Sequence, residues 1–196
     1  MLARQPKEIR PFWGAASGSG SQTLCGGDLF VFGAPAVAAV DVDWTRWAGT
    51  WYEIARLPVP YEADCVGVPS ATYRVSAQPA QLTVVNECAR RCPSDRYCIA
   101  SIDRVDGTAR IVGAGRLWVT LGPTIREPTN RESILGNYVI AHVDGAYTEA
   151  VVVTPDLASA WILSRWPSID DRALHTLVER ARSLGIDTTR LIFNQS

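Results

Sequence analysis

At 196 residues and a formal net charge of −1, with Lys and Arg scattered along the chain, the sequence lacks the basic stripe that nucleic acid or an anionic membrane surface would want. The length suits one domain with a buried core plus a tail, and no apolar run reaches the length of a membrane-spanning helix. Seven Trp against one Met point to a demanding core or an aromatic-lined cavity.

Residues 1–38 read as an N-terminal tail ahead of a domain spanning 39–196. The stretch WGAASGSGSQTLCGGD (13–28) is rich in Gly and Ser and cannot bury a core. LFVFGAPAVAAV (29–40) is apolar but broken by Gly33 and Pro35; Ala36-Val37-Ala38 resembles a signal cleavage site, and an extended arm over the end of the fold is the preferred reading.

The cysteines are Cys25, Cys65, Cys88, Cys92 and Cys98. With only His142 and His175 as imidazoles and no CxxC pair, the usual zinc spacing is missing, so no metal is expected. Disulfides are favoured, and with them an oxidising compartment, secreted or periplasmic, with Cys25 left as the odd thiol. Cys25 lacks the preceding apolar run and small residue that lipid attachment needs, so no anchor is expected there.

Short β-type runs follow at 50–57, 71–76, 82–88, 97–112, 116–121, 137–143, 147–154 and 161–165, separated by Gly, Pro and Asp punctuation. Many short strands at this spacing predict a sandwich or barrel. Asp144-Gly145 predicts a two-residue hairpin turn, and Asp106-Gly107 offers another that would split the fourth run. Near the C-terminus Leu174, Leu177, Val178, Ala181 and Leu184 share one helical face, with Ser168 as the predicted N-cap and Gly185 as the stop.

GTWYEIARLP (49–58), ATYRV (71–75), VVNEC (84–88), GNYVIAHVDGAYTEAVVV (136–153) and WILSRWPSIDD (161–171) together resemble the lipocalin family, nearest to its bacterial outer-membrane and apolipoprotein D-like members. That resemblance implies an all-β fold: an eight-stranded antiparallel up-and-down barrel with one C-terminal amphipathic α-helix packed outside and a cavity open at one end. It places Arg165 across the Trp51 indole beside Gly49 at the barrel floor. A count of eight strands makes Asp106-Gly107 a bulge or bend within a long fourth strand. On such a barrel Cys65 and Cys88 lie at the open rim on neighbouring strands, which favours Cys65–Cys88 with Cys92–Cys98, the alternative being Cys65–Cys92.

Alternation and the family pattern together nominate Glu53, Ala55, Tyr73, Val84, Trp118, Tyr138, Ile140 and Trp161 as cavity wall, with Tyr52 and Ile54 facing out. Glu53 then needs a buried partner, with Arg56, Arg74 or a tyrosine hydroxyl as candidates. The polar stretch 122–135, with Arg126, Glu127, Arg131 and Glu132, is the expected gate over the mouth or a contact for head groups. The implied function is binding, storage or transport of a small hydrophobic ligand such as a fatty acid or lysophospholipid, with no cofactor, no catalytic residue and peripheral membrane contact. Two alternatives stand beside it. One is a lipocalin-fold enzyme, which would have to use His142 or His175 and lacks a Gly-x-Ser-x-Gly turn; alternation with Tyr138 and Ile140 permits His142 to face inward. The other is a structural, partner-binding barrel with a filled interior.

Overall fold

Strand formers bounded by turns build the body of the protein, and the apolar side chains on their two faces form two separate cores. The structure, a computed structural model, describes residues 37–92, 95–122, 129 and 132–194, with residues 92, 95–100, 132 and 133 described in backbone alone. Cys25, the Cys92–Cys98 bridge, Arg126, Glu127, Arg131 and nearly all of the 1–38 tail lie outside the described residues or side chains.

A short helix α1 (Trp44–Trp47) is capped by the Asp43 carboxylate and leads into β1 (Gly49–Arg56). Then come β2 (Cys65–Val75), β3 (Gln81–Cys92), β4 (Asp95–Gly113), β5 (Arg116–Leu121), β6 (Tyr138–Val143), β7 (Glu149–Val153) and β8 (Ala160–Ser164). A one-turn helix α2 (Glu132–Leu135) precedes β6. Every strand pairs antiparallel with its chain neighbour, and β1 pairs with both β2 and β8, so the sheet closes into an eight-stranded barrel. An added strand β9 (Ile192–Phe193) pairs with Ala55 and Arg56, beyond the stretch of β1 that pairs with β2.

The inner core gathers Trp47, Trp51, Tyr73, Leu82, Val84, Leu117, Ile140, Val152 and Leu163. The outer core joins Ile54, Val139, Val151 and Ile162 of the barrel to Leu177, Ala181 and Ile186 of α3 (Asp171–Ser183) and its C-terminal exit. Helix α3 is therefore amphipathic because its apolar stripe seals one sector of the barrel wall. Gly185 has φ +89°, and the Ile186 amide donates to Ala181 O at 3.2 Å, which closes the last turn and buries Ile186.

Three local expectations change. The N-cap of α3 is Asp170 rather than Ser168: its carboxylate accepts from the Ala173 amide at 2.8 Å and adds negative charge at the helix start. The Asp144 turn is longer than two residues. Asp144 N donates to Glu149 O at 3.0 Å around a loop over 145–148, while the Asp144 carboxylate gathers the amides of Ala146, Thr148 and Glu149. Asp106-Gly107 lies inside an unbroken β4, but no bulge forms there. The register runs straight through both residues, and glycine is required because a Cβ would sit 2.3 Å from Thr120 O of β5.

At the open rim Cys65 and Cys88 form a disulfide with Cα atoms 5.6 Å apart, closing a sequence separation of 23 residues. Chain-entropy arguments put the contribution of such a loop at about 3 kcal/mol. Cys65→Ser/Cys88→Ser is expected to lower unfolding free energy by about that amount in urea titrations, with the far-UV circular dichroism of the native state unchanged.

Candidate functional site

Three aromatic residues and one cation form the floor. Trp47 and Trp51 stack with centroids 4.5 Å apart, and Tyr73 tilts against Trp47 at 5.8 Å. The Arg165 guanidinium lies over the Trp51 ring, Cζ to centroid 3.8 Å. Its Nη1 donates to Thr50 O at 2.9 Å and its Nε to Tyr147 O at 3.1 Å. Nη2 reaches the carbonyls of Arg46, Trp47 and Ala48 at 2.7, 3.0 and 3.0 Å. Gly49, at φ +106°, leaves the room this fork needs, since a Cβ there would lie 3.0 Å from Arg165 Nη1. Lys offers a point charge without the fork, so Arg165→Lys is expected to cost about 2–3 kcal/mol of stability, read from the shift in the urea midpoint.

Toward the mouth the aromatic series continues, with Tyr73 to Tyr138 at 6.2 Å and Tyr138 to Trp161 at 6.3 Å. Burial pushes both tyrosine pKa values up, Tyr73 to about 12. Floor residues Trp47, Trp51 and Tyr73 are sealed, whereas Tyr138, Trp161, Ala71 and Val119 face the interior and keep accessible surface.

A register shift decides which side chains meet at this upper end. Between Glu53 and Ala55 the pairing of β1 with β8 slips by one residue, so Glu53 opposes Leu163, Ala55 opposes Ile162 and Arg56 opposes Trp161. Ile54 and Ala55 both turn outward onto the core beneath α3, and Arg56 turns in. Ala55 is therefore not a wall residue of the interior. Arg56 is buried, with its Nε 2.8 Å from Glu62 Oε2 and 3.5 Å from Glu53 Oε1, and its Nη2 donates to Glu62 O at 2.7 Å. Glu62 is carried by a 3-10 turn (Pro60–Glu62) in the β1–β2 connection, and its carboxylate also accepts from Trp161. Glu53 Oε1 accepts from Asn194 Nδ2 at 2.6 Å, a partner 141 positions away that pairing along β1 alone does not reveal.

Burial, then the Glu62 charge, raises the Glu53 pKa from an ordinary 4.5 to about 8, against the opposing pull of Arg56 and Asn194. Burial raises Glu62 as well, while Arg56 and Trp161 favour its ionised form. Glu53 therefore keeps its proton at neutral pH. For Glu53 the proton-bound form is the one that folding favours. Its contribution to stability is present below about pH 4.5 and is lost as pH rises through about 8. Glu53→Gln, a neutral isostere, is expected to remove this loss, so that Tm falls less between pH 5 and 8.5 than it does for the unaltered protein.

Of the other nominated wall residues, Val84 and Ile140 are fully buried in the inner core, with Tyr73, Tyr138 and Trp161 around them. Trp118 is a correction. Its neighbours Leu117 and Val119 both belong to the inner core, so alternation turns the indole to the outer face of β5, where it is 7% exposed. His142 also lies outside. A second register shift, between Ile140 and His142, sets it opposite the outward Val151, and burial followed by the nearby Arg180 lowers its pKa. His175 is on the exposed side of α3, 4.0 Å from Glu179, beside a shallow outer depression remote from the interior. Neither histidine reaches the barrel interior. Among the described residues no group of His, Cys, Asp and Glu has the arrangement of a metal site. The expected gate is described only at its ends, including α2, where Ile134 is exposed.

A closed eight-stranded antiparallel barrel with an arginine stacked on an indole at one end and one helix packed outside defines the fold class. The chain belongs to the lipocalins: residues 42–196 match the lipocalin-like domain family. It is 31% identical over 157 residues to the outer membrane lipoprotein Blc of Escherichia coli K12, covering 78% of each chain. It is 30% identical over 160 residues to Blc of Vibrio cholerae, covering 79% of this chain and 83% of that one. Among solved structures, the cockroach allergen Per a 4 superimposes with a TM-score of 0.57 at 18% identity, over 82% of this chain and 92% of that one. Insecticyanin from the tobacco hornworm Manduca sexta does so with a TM-score of 0.54 at 17% identity, over 83% and 85%. At these identities the two structures speak to the fold.

Proposed function

We propose that this protein binds, stores or carries a small amphiphilic lipid, such as a fatty acid or lysophospholipid, in the upper half of its barrel. The observation that carries the reading is the contrast between a sealed floor and inward-facing Tyr138, Trp161, Ala71 and Val119 that keep accessible surface. Apolar and aromatic walls favour a hydrocarbon body, and the polar residues at the mouth end, Arg56 and Glu62 with the Tyr138 hydroxyl below them, suit a head group. Family membership supports a small hydrophobic ligand in general. The role is non-covalent, without catalysis.

The test is organic extraction of purified protein followed by mass spectrometry, with quenching of intrinsic Trp fluorescence on titrating delipidated protein with dodecanoate and with lysophosphatidylcholine. Saturable quenching is expected. Val119→Trp, which places an indole in the open upper chamber, is expected to weaken binding at least tenfold, on the order of 1.4 kcal/mol, with the fold intact by circular dichroism. No extracted lipid and no saturable quenching by either probe would favour the structural barrel instead.

A further inference from the structure

A buried guanidinium normally has its donors satisfied, because an unfilled donor away from water costs free energy. Arg56 does not meet that expectation. Its Nη1 is buried and has no hydrogen-bond partner among the described residues. Its Nε comes within 2.8 Å of Glu62 Oε2, yet neither atom has the geometry of a hydrogen bond, so Glu62 Oε2 is also buried and unsatisfied. The mismatch has a mechanical cause. Glu62 is tethered to the 3-10 turn, and that turn's own backbone carbonyl occupies Nη2. The carboxylate therefore cannot also swing into the planar, two-pronged contact a guanidinium prefers.

We propose that Arg56 is the seat for the carboxylate head of an amphiphilic ligand, which takes the place that the Glu62 carboxylate holds in this structure. A free carboxylate has no tether and can turn to accept squarely from Nε–H, which Glu62 Oε2 approaches without hydrogen-bond geometry. Glu62 is suited to give way, because it stands on a short turn at the rim with its side chain 14% exposed, so release returns its charge to water. The ligand's hydrocarbon then runs inward past Trp161, which opposes Arg56 across the β1–β8 pairing, and on to Tyr138. The inference rests on the proposed lipid-binding reading and goes beyond it by naming the head group, its residue and its pH dependence.

The pH dependence follows from what else faces the guanidinium. These groups are Glu53 from β1, Tyr61 and Glu62 from the connecting turn, Tyr138 from β6, and the neutral Trp161 and Asn194 from β8 and the C-terminal segment. Tyr61 is half exposed overall, but burial of its hydroxyl and then the two carboxylates push its pKa above the ordinary range, and Tyr138 is shifted the same way, so both stay neutral. Glu53 is the group that changes. While it holds its proton, a ligand carboxylate meets Arg56 without a second negative charge beside it. As pH rises through about 8 the Glu53 carboxylate forms and repels the ligand.

Isothermal titration of delipidated protein with dodecanoate and with dodecanol, from pH 6.5 to 9.5, tests this. Dodecanoate is expected to bind at least tenfold more tightly than dodecanol at pH 7 and to lose close to tenfold in affinity per pH unit above about 8, while dodecanol shows no such loss. Glu53→Gln keeps the shape and the neutral state, and should flatten the dodecanoate profile. Arg56→Gln should bring dodecanoate down to the affinity of dodecanol, with retained dodecanol binding showing that the barrel is folded. Parallel pH profiles for acid and alcohol, or undiminished dodecanoate binding by Arg56→Gln, would overturn the seat and leave the lipid-binding reading standing. If neither probe binds the unaltered protein, both readings fall.

Discussion

The guanidinium of Arg165 on the indole of Trp51 is the contact on which the remaining geometry hangs. A planar cation with donors along two edges can stack on an aromatic face while its rim reaches several carbonyls at once, and here it collects five, from Arg46, Trp47, Ala48, Tyr147 and Thr50. Those carbonyls belong to the chain entering the barrel, to the start of β1 and to the loop after β6. One side chain thus ties β1, β8 and the plug helix α1 together at the closed end. Because β1 and β8 are aligned there, their pairing at the other end puts Arg56 opposite Trp161. The floor contact and the mouth cluster lie at opposite ends of one strand pair.

Between those ends a single extra residue changes the chemistry of the molecule. Without the slip between Glu53 and Ala55, Arg56 would point outward under α3 and Glu53 would face an apolar chamber without a cation. With the slip, Ile54 and Ala55 together feed the outer core, and the cation joins the carboxylate inside. The slip in β6 works in the opposite sense, turning His142 outward together with Ala141 and leaving the described interior without an imidazole. Two bulges therefore divide the residues between an inner face that carries a guanidinium and an outer wall that carries the histidine.

The strand runs, the C-terminal helix with its Gly185 stop and the barrel class were legible in the sequence, because period-2 and period-3.6 patterns and turn residues are local properties. The Cys65–Cys88 bridge could be chosen once the barrel supplied neighbouring strands at one rim. Bulges are not legible in this way: one added residue reverses the phase of everything after it and leaves no compositional mark. That is why alternation places Ala55 on the inner face and permits His142 there, whereas the two register shifts turn both outward. Trp118 differs from the sequence expectation for another reason. An aromatic residue suggests a cavity wall, yet its apolar neighbours Leu117 and Val119 already occupied the inner face. The sequence offers Arg56 as a partner of Glu53 but not Glu62 or Asn194, since a turn residue and a C-terminal amide meet that carboxylate only through the closed barrel and β9.

The central claim is that the upper barrel is a chamber for an amphiphile whose head lies at the mouth. The anomalous signal of bromine in crystals of the protein with 12-bromododecanoate tests it most directly, because it locates the tail without reference to any spectroscopic interpretation. The account predicts a single bromine inside the barrel, beyond Trp161 toward Tyr138 and the sealed floor. Bromine confined to the outer surface, along α3 or the exposed strands, would contradict it.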